Sequence, residues 1–199
     1  MIAKVLTGRL GGIFALKQKA NSAKGIMKKL YTTLYYMYQY ENGSSVNVIT
    51  SFADKPCLPH DLKAIFVSGP AKVGKCCVIF HNVTINAINH IDDKKFGAPV
   101  VGDHCYISPG VTIMGNCKIG NHVRIDANAM ITEDIPDNSI VEVLQDGSQK
   151  ITTYPKDKKV DTKYYSHNGK KWICNDENGT WQDVTDEKKL KKLFEMYGK

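Results

Sequence analysis

Three features are missing from this 199-residue chain. There is no run of about 18 apolar residues, so no segment reads as a membrane-crossing helix. The opening MIAKVLTGRLGGIFALKQKA lacks the unbroken apolar core of a signal peptide, and a cytoplasmic location is therefore expected. There is also no CxxC pair among the six cysteines, which read as reduced thiols and not as a disulfide framework or a thiolate metal centre. Acidic residues are scarce in one region only. Residues 1–60 hold eight basic and two acidic groups, residues 61–145 seven and nine, and residues 146–199 twelve and nine. The net charge of +7 therefore comes mostly from the N-terminal arm, where no nucleic-acid motif accompanies it, and a nucleic-acid partner is not expected.

Over the middle of the chain neither the 3.6-residue period of a helix nor the two-residue period of an ordinary strand prevails. The period is six. Val101, Ile107, Ile113, Ile119, Ile125 and Ile131 keep that register without a slip, and a small residue precedes most of them by two positions, as at Cys105, Val111, Cys117, Val123 and Ala129. Val67, Val73, Ile79 and Ile85 form an earlier run, with Ala71, Cys77 and Val83 in the small position. Hexapeptide periodicity predicts a parallel β-helix. Each hexapeptide supplies a short strand and a turn, three close one triangular coil, and the aliphatic side chains fill a dry axis. Gly102-Asp103, Gly115-Asn116 and Gly120-Asn121 are suited to the turns.

From Ile85 to Val101 is not a multiple of six, so NAINHIDDKKFGAP, residues 86–99, is expected to leave the prism as a loop. After Ile131 the segment TEDIPDNSI ends the regular repeat. The expected organisation is a helical arm at 1–45, a β-helix domain at 46–144 and an extension at 145–199. In the arm, a break falls near Asn21-Ser22, and Leu30, Leu34, Met37 and several tyrosines read as an apolar face that packs on the prism or on another subunit, in the first instance as a core-facing helix; a basic amphipathic arm resting on a membrane surface is the alternative. In the extension, KYYSHNGKKWIC reads as a hairpin and DEKKLKKLFEMYGK as a short basic helix.

The segment KPCLPHDLKAIFVSGPAKVGKCCVIFHNVTI, residues 55–85, followed by GAPVVGDHCYISPGVTIMGN, resembles the serine acetyltransferase branch of the hexapeptide acyltransferases. The resemblance covers about residues 45–141. It implies an all-β core, a left-handed parallel β-helix with an N-terminal helical arm and a small C-terminal α/β extension; the hand comes from the resemblance alone. It also implies acetyl transfer from acetyl-CoA to a hydroxyl without a metal, in a homotrimer whose arms could join two trimers. The family's catalytic base falls on His60, and His90 in the loop resembles the loop histidine of related sugar and xenobiotic acetyltransferases. His81 stands beside the site, with Asp61 and Asp92, or Asp93, as substitutes for the family's orienting carboxylate. Asn86, Ala87, Pro109, Gly110, Arg124 and Ala127 fall on coenzyme A positions.

The chain departs from that family at two places: Ser45 stands where the orienting carboxylate is expected, and Ala98 where a second histidine serves the amino-acid acceptor. These departures favour a sugar hydroxyl of a surface polysaccharide or its precursor as acceptor. Serine O-acetylation and a non-catalytic scaffold are the alternatives. His104 and His122, eighteen residues apart, should stack on successive coils, where a zinc site would need a third ligand.

Overall fold

The computed structural model describes residues 2–175 and 179–197. Three helices, α1 (Ile2–Arg9), α2 (Ile13–Ser22) and α3 (Gly25–Glu41), form the arm. Besides the break before α3, the arm bends at Gly11 and Gly12, whose φ values of 92° and 91° belong to glycine.

Five coils follow. The first holds β1 (Ser45–Val46) and β2 (Ser51–Phe52); the second β3 (Phe66–Val67), β4 (Lys72–Val73) and β5 (Val78–Ile79); the third β6 (Thr84–Asn86), β7 (Val100–Val101) and β8 (Tyr106–Ile107). The fourth holds β9 (Thr112–Met114), β10 (Lys118–Ile119) and β11 (Arg124–Ile125), and the fifth β12 (Met130–Ile131) and β13 (Ser139–Val143). Parallel pairing between coils produces three faces: β1-β3-β6-β9-β12, β2-β4-β7-β10, and β5-β8-β11-β13.

The in-register partners explain the hexapeptide. Val46, Val67, Ile85, Ile113 and Ile131 stack on the first face, and Ile79, Ile107, Ile125 and Val141 on the third. All are buried, each aliphatic side chain contributing about 1.5–3 kcal/mol. The small residues two positions earlier are buried too, and the thiols among them find acceptors: Cys77 donates to the Gly102 carbonyl at 3.3 Å and Cys105 to that of Gly120 at 3.1 Å. All six cysteines are free. Cys76, which a strand would turn away from Cys77, instead occupies a turn with φ 54°.

Two segments interrupt the eighteen-residue coil. Residues 53–65 carry His60 around the first turn, and residues 87–97 leave the prism as a loop closed by the Ile88–Gly97 bridge. Chain growth does not stop at Ile131. Ile135 bridges to Ile119 and β13 pairs with β11, so Pro136 sits in a shortened last coil, not beyond it.

Both ends are covered. At the first coil, Tyr35 donates to the Val46 carbonyl at 3.0 Å and the Val46 amide donates to Gln39 Oε1, so α3 satisfies an edge that would otherwise be open to pairing. The core face of α3 is therefore Tyr35, Tyr38 and Gln39; of the expected apolar face, Leu34 packs against the core with these tyrosines, while Leu30 and Met37 are about half-exposed and do not reach the prism. At the last coil β13 turns back into antiparallel β14 (Gln149–Thr153). The remaining extension is a three-stranded antiparallel sheet, β15 (Tyr165–His167), β16 (Trp172–Asn175) and β17 (Trp181–Asp183), and the helix α4 (Glu187–Tyr197). Lys199 and Gly198, at the end of the expected basic helix, lie outside the described residues.

Candidate active site

The corner between the third and first faces collects the residues that matter. The turns there lie one above another: the Asn82 amide donates to the Lys63 carbonyl at 3.1 Å, Gly110 to His81 at 3.2 Å and Asn128 to Pro109 at 3.0 Å. Left-handed backbone recurs at this corner, at Ala64, Asn82, Gly110 and Asn128, and Asn or Gly holds three of these four stacked positions. A Cβ on Gly110 would meet Asn128 Oδ1 at 2.2 Å, so a larger residue in that turn would have to displace the Asn128 side chain.

At the upper end of this stack the extra length of residues 53–65 delivers His60 onto the coil below. Its ring meets that of His81 edge-on at 4.8 Å and lies 5.8 Å from Phe80. His60 is exposed and its ring nitrogens make no hydrogen bond among the described residues, whereas His81 is half-buried with Nδ1 lacking any partner. Phe80 is buried under aromatic rings, at 5.2 Å from Tyr106 and 5.7 Å from Tyr164 of the extension, and Tyr164 in turn meets Trp181 at 6.0 Å. The hexapeptide pattern gives no sign that the extension reaches this corner.

Asp61, next to His60, faces away from it. Its carboxylate accepts the Tyr38 hydroxyl at 2.6 Å and the Leu62 amide at 3.0 Å, and pairs with Lys4 at 3.3 Å. Burial works against its charge, but these three partners outweigh burial and hold the carboxyl below the ordinary aspartate range. The same pairing, added to burial, pushes the Tyr38 phenol up. Asp61 thus fastens the arm to the His60 segment, and no carboxylate among the described residues bonds to His60.

The other expected residues separate into two groups. Pro109, Gly110 and Ala127 line the corner below His81, with Arg124 on the adjoining third face beside Tyr106. Asn86 and Ala87 stand at the opposite edge of the first face, where the loop departs and the Ala87 amide donates to Ser68 Oγ at 3.1 Å. His90 and Asp92 lie exposed in that loop without side-chain contacts among the described residues, and Asp93 accepts the Lys95 amide at 2.7 Å. The loop runs along its own edge, where Lys95 reaches Thr132 at 2.7 Å. One chain therefore brings His60 and His81 together and leaves His90 apart.

The third corner, between the second and third faces, holds His104 and His122. Their rings are 4.6 Å apart and 5° from parallel, stacked as their spacing predicts.

A family model, the bacterial transferase hexapeptide (six repeats), matches residues 98–133. The serine acetyltransferase of Mycobacterium tuberculosis is 32% identical over 77 residues, 39% of this chain and 33% of that enzyme. Among solved structures, serine acetyltransferase isoform 3 of Entamoeba histolytica in complex with cysteine superposes with a TM-score of 0.56 at 23% identity, covering 71% of this chain and 50% of that one. A serine acetyltransferase in complex with CoA superposes with a TM-score of 0.55 at 16% identity, covering 70% and 54%. The chain spans about a third of the bacterial enzyme's length and about half of each structural neighbour's. These neighbours fix the hand of the coil as left. With the hexapeptide match and the stacked corner, they show a left-handed hexapeptide β-helix, similar in fold to serine acetyltransferases.

Proposed function

We propose that the protein is an acetyl-CoA-dependent O-acetyltransferase in which His60, held against His81, is the general base. The observation that carries this reading is the pair itself: an exposed imidazole seated on a half-buried one whose Nδ1 has no partner, above a column of small turn residues. A buried nitrogen without a hydrogen bond costs about 1–3 kcal/mol, a cost that a bound acceptor or donor group would relieve. Turns such as Pro109-Gly110 let a thin pantetheine arm lie close to backbone amides.

In the reaction, neutral His60 takes the proton of the acceptor hydroxyl as its oxygen attacks the thioester carbonyl of acetyl-CoA. The resulting oxyanion is stabilised by N–H donors at the turns. Collapse expels coenzyme A as thiolate, which recovers the proton from the imidazolium; the acetyl ester is the second product. The contacts with His81 and Phe80 orient the base in place of the family's carboxylate, whose position is Ser45.

The acceptor we favour is L-serine. The relatives are serine acetyltransferases, and this outweighs the sugar hydroxyl expected from Ala98 and Ser45. A homotrimer completes the site. Asn86, Ala87 and the loop lie across the first face from His60, and side-by-side prisms would bring one copy's loop to the next copy's His60 corner. Phe66 and Met130, exposed on that flat face, are suited to such packing.

Calorimetry with acetyl-CoA, followed by thiol release with L-serine and a panel of hexoses, tests the proposal. His60→Ala should lower kcat by about 10²–10⁴-fold, with acetyl-CoA binding retained, and His81→Ala should lower it less. Absence of acetyl-CoA binding would sink the enzyme reading in favour of a scaffold. Turnover with hexoses but not serine would return the acceptor to a sugar.

A further inference from the structure

The hexapeptide gives Phe80 no reason to be buried. Ile79 points into the prism, so Val78 and Phe80 on either side of it point outward. Below them on the third face, Tyr106 and Arg124 under Val78, and Ser108 and Asp126 under Phe80, are only half-buried. Val78 and Phe80 are buried, so β5 is covered from outside. Cys57 of the 53–65 segment pairs with Val78, and Tyr164 of the extension lies edge-on against Phe80, 5.7 Å away and at 82°. Phe80 also meets Tyr106 at 5.2 Å and His60 at 5.8 Å, all within the separations that aromatic pairs favour.

Tyr164 is itself fixed in place. The chain leading to it lies along the prism with Val160 and Thr162 buried, and the Val160 amide donates to Asn138 Oδ1 at 2.7 Å. The Tyr164 amide donates to Oδ1 of buried Asn175 at 2.6 Å, and its hydroxyl has Ser166, two residues on, as partner. The ring is what remains for Phe80. Residues 176–178, which join β16 to β17, lie outside the described residues, and the path from Tyr164 through Phe80 to His60 uses none of them.

His60 depends on such support. Its nitrogens are needed for the acceptor proton, and no carboxylate among the described residues orients it. Among those residues its ring contacts are His81 and Phe80. We infer that Tyr164 of the C-terminal extension is a positioning residue for the general base, holding Phe80 against His60. Its catalytic meaning rests on the transferase reading, whereas the ring contacts stand without it. Reacting groups misplaced by about 1 Å lose on the order of a hundredfold in rate, so a support two rings away is felt in kcat.

Steady-state kinetics of the full chain test this. Tyr164→Leu should lower kcat about tenfold or more, with KM for acetyl-CoA changed by less than about twofold. Tyr164→Phe should recover most of that loss, because the ring and not the hydroxyl touches Phe80. Phe80→Leu should lower kcat similarly, and adding Tyr164→Leu to it should cost little more, as expected of two residues on one path. Tyr165 points the opposite way, toward Asp161 and Lys189, so Tyr165→Leu disturbs the extension without reaching Phe80 and should leave kcat unchanged.

A readout without turnover separates the two readings. With 13C-labelled histidine, NMR resolves the six imidazoles, and His60 is identified by its loss in His60→Gln. Ring currents from Phe80 and His81 should set His60 apart from exposed His90. Tyr164→Leu should move the His60 signals toward those of His90 and leave His104 and His122 in place. Unchanged kcat in an active protein, unchanged His60 signals, additive losses in the double variant, or an equal loss in Tyr165→Leu would each overturn the positioning role. A wild type without turnover would instead overturn the transferase reading, and the His60 signals would then decide whether the contact with Tyr164 stands.

Discussion

Asp61 illustrates how a single carboxylate links the arm to the site. It stands beside the proposed base yet spends its charge on Tyr38 and Lys4, so its effect on His60 passes through the position of the 53–65 segment. Its native pKa is lowered, so its contribution to stability is fully present above the unfolded value of about 3.9 and is lost as pH falls through the lower native value. Asp61→Asn should cost about 1 kcal/mol at pH 7, a modest figure because the Lys4 pair is solvent-screened. The difference from wild type should hold down to about pH 5 and close below about pH 4. Urea unfolding of both proteins at pH 7, 5 and 3.5 measures it, and asparagine keeps the φ of 60° at this residue unstrained. His60 and His81 were legible in the sequence through the LPH and FHNVTI segments. The commitment of Asp61 was not, because it depends on where α3 comes to rest.

Among the elements, the coil was the most legible because one side chain per hexapeptide must be buried whatever surrounds the prism. The lengths of the excursions were legible too, as departures from six. What the period does not encode is the closeness of the turns. Gly74, Gly102 and Gly120 lie in successive coils at the edge of the second face, and a Cβ on Gly102 would meet the Gly120 carbonyl carbon and oxygen at 2.7 Å. Both atoms are backbone locked by the ladder, so Gly102→Ala should destabilise by about 1–3 kcal/mol, the usual cost of overpacking. Gly8 in α1 has nothing within 4 Å of its missing Cβ; Gly8→Ala should be neutral or stabilising by up to about 1 kcal/mol. Thermal melts of the two variants side by side separate a glycine required by close approach from one that is dispensable. The side of α3 that meets the prism was only partly legible for a related reason: the Tyr35 hydroxyl and the Gln39 amide oxygen serve the β1 edge and prevail over the apolar content of the other face.

At the scale of the whole molecule, the other face of that helix has a consequence. At 100° per residue, Ile26, Leu30, Met37 and Tyr40 fall within one narrow stripe of α3, opposite Tyr35, Tyr38 and Gln39. Their exposures, 81%, 55%, 49% and 89%, leave an apolar strip along the outer face of the 17-residue helix, interrupted at its middle by exposed Thr33. Apolar strips of this kind mark surfaces that meet another chain, and the trimer proposed above would use a different surface, the flat first face. The arm is therefore the element suited to joining two trimers. Light scattering should give a hexamer for the wild type and a trimer for Leu30→Glu, because a carboxylate placed mid-stripe opposes burial against a second copy. Since Leu30 contributes little to the core, the variant should keep its melting temperature within a few degrees and its acetyl-CoA affinity. A wild type that is already a trimer, or a Leu30→Glu protein that stays hexameric, would remove the arm from the assembly. An anionic vesicle that captured the wild type but not Leu30→Glu would instead assign the stripe, with Lys29 at its margin, to a membrane surface.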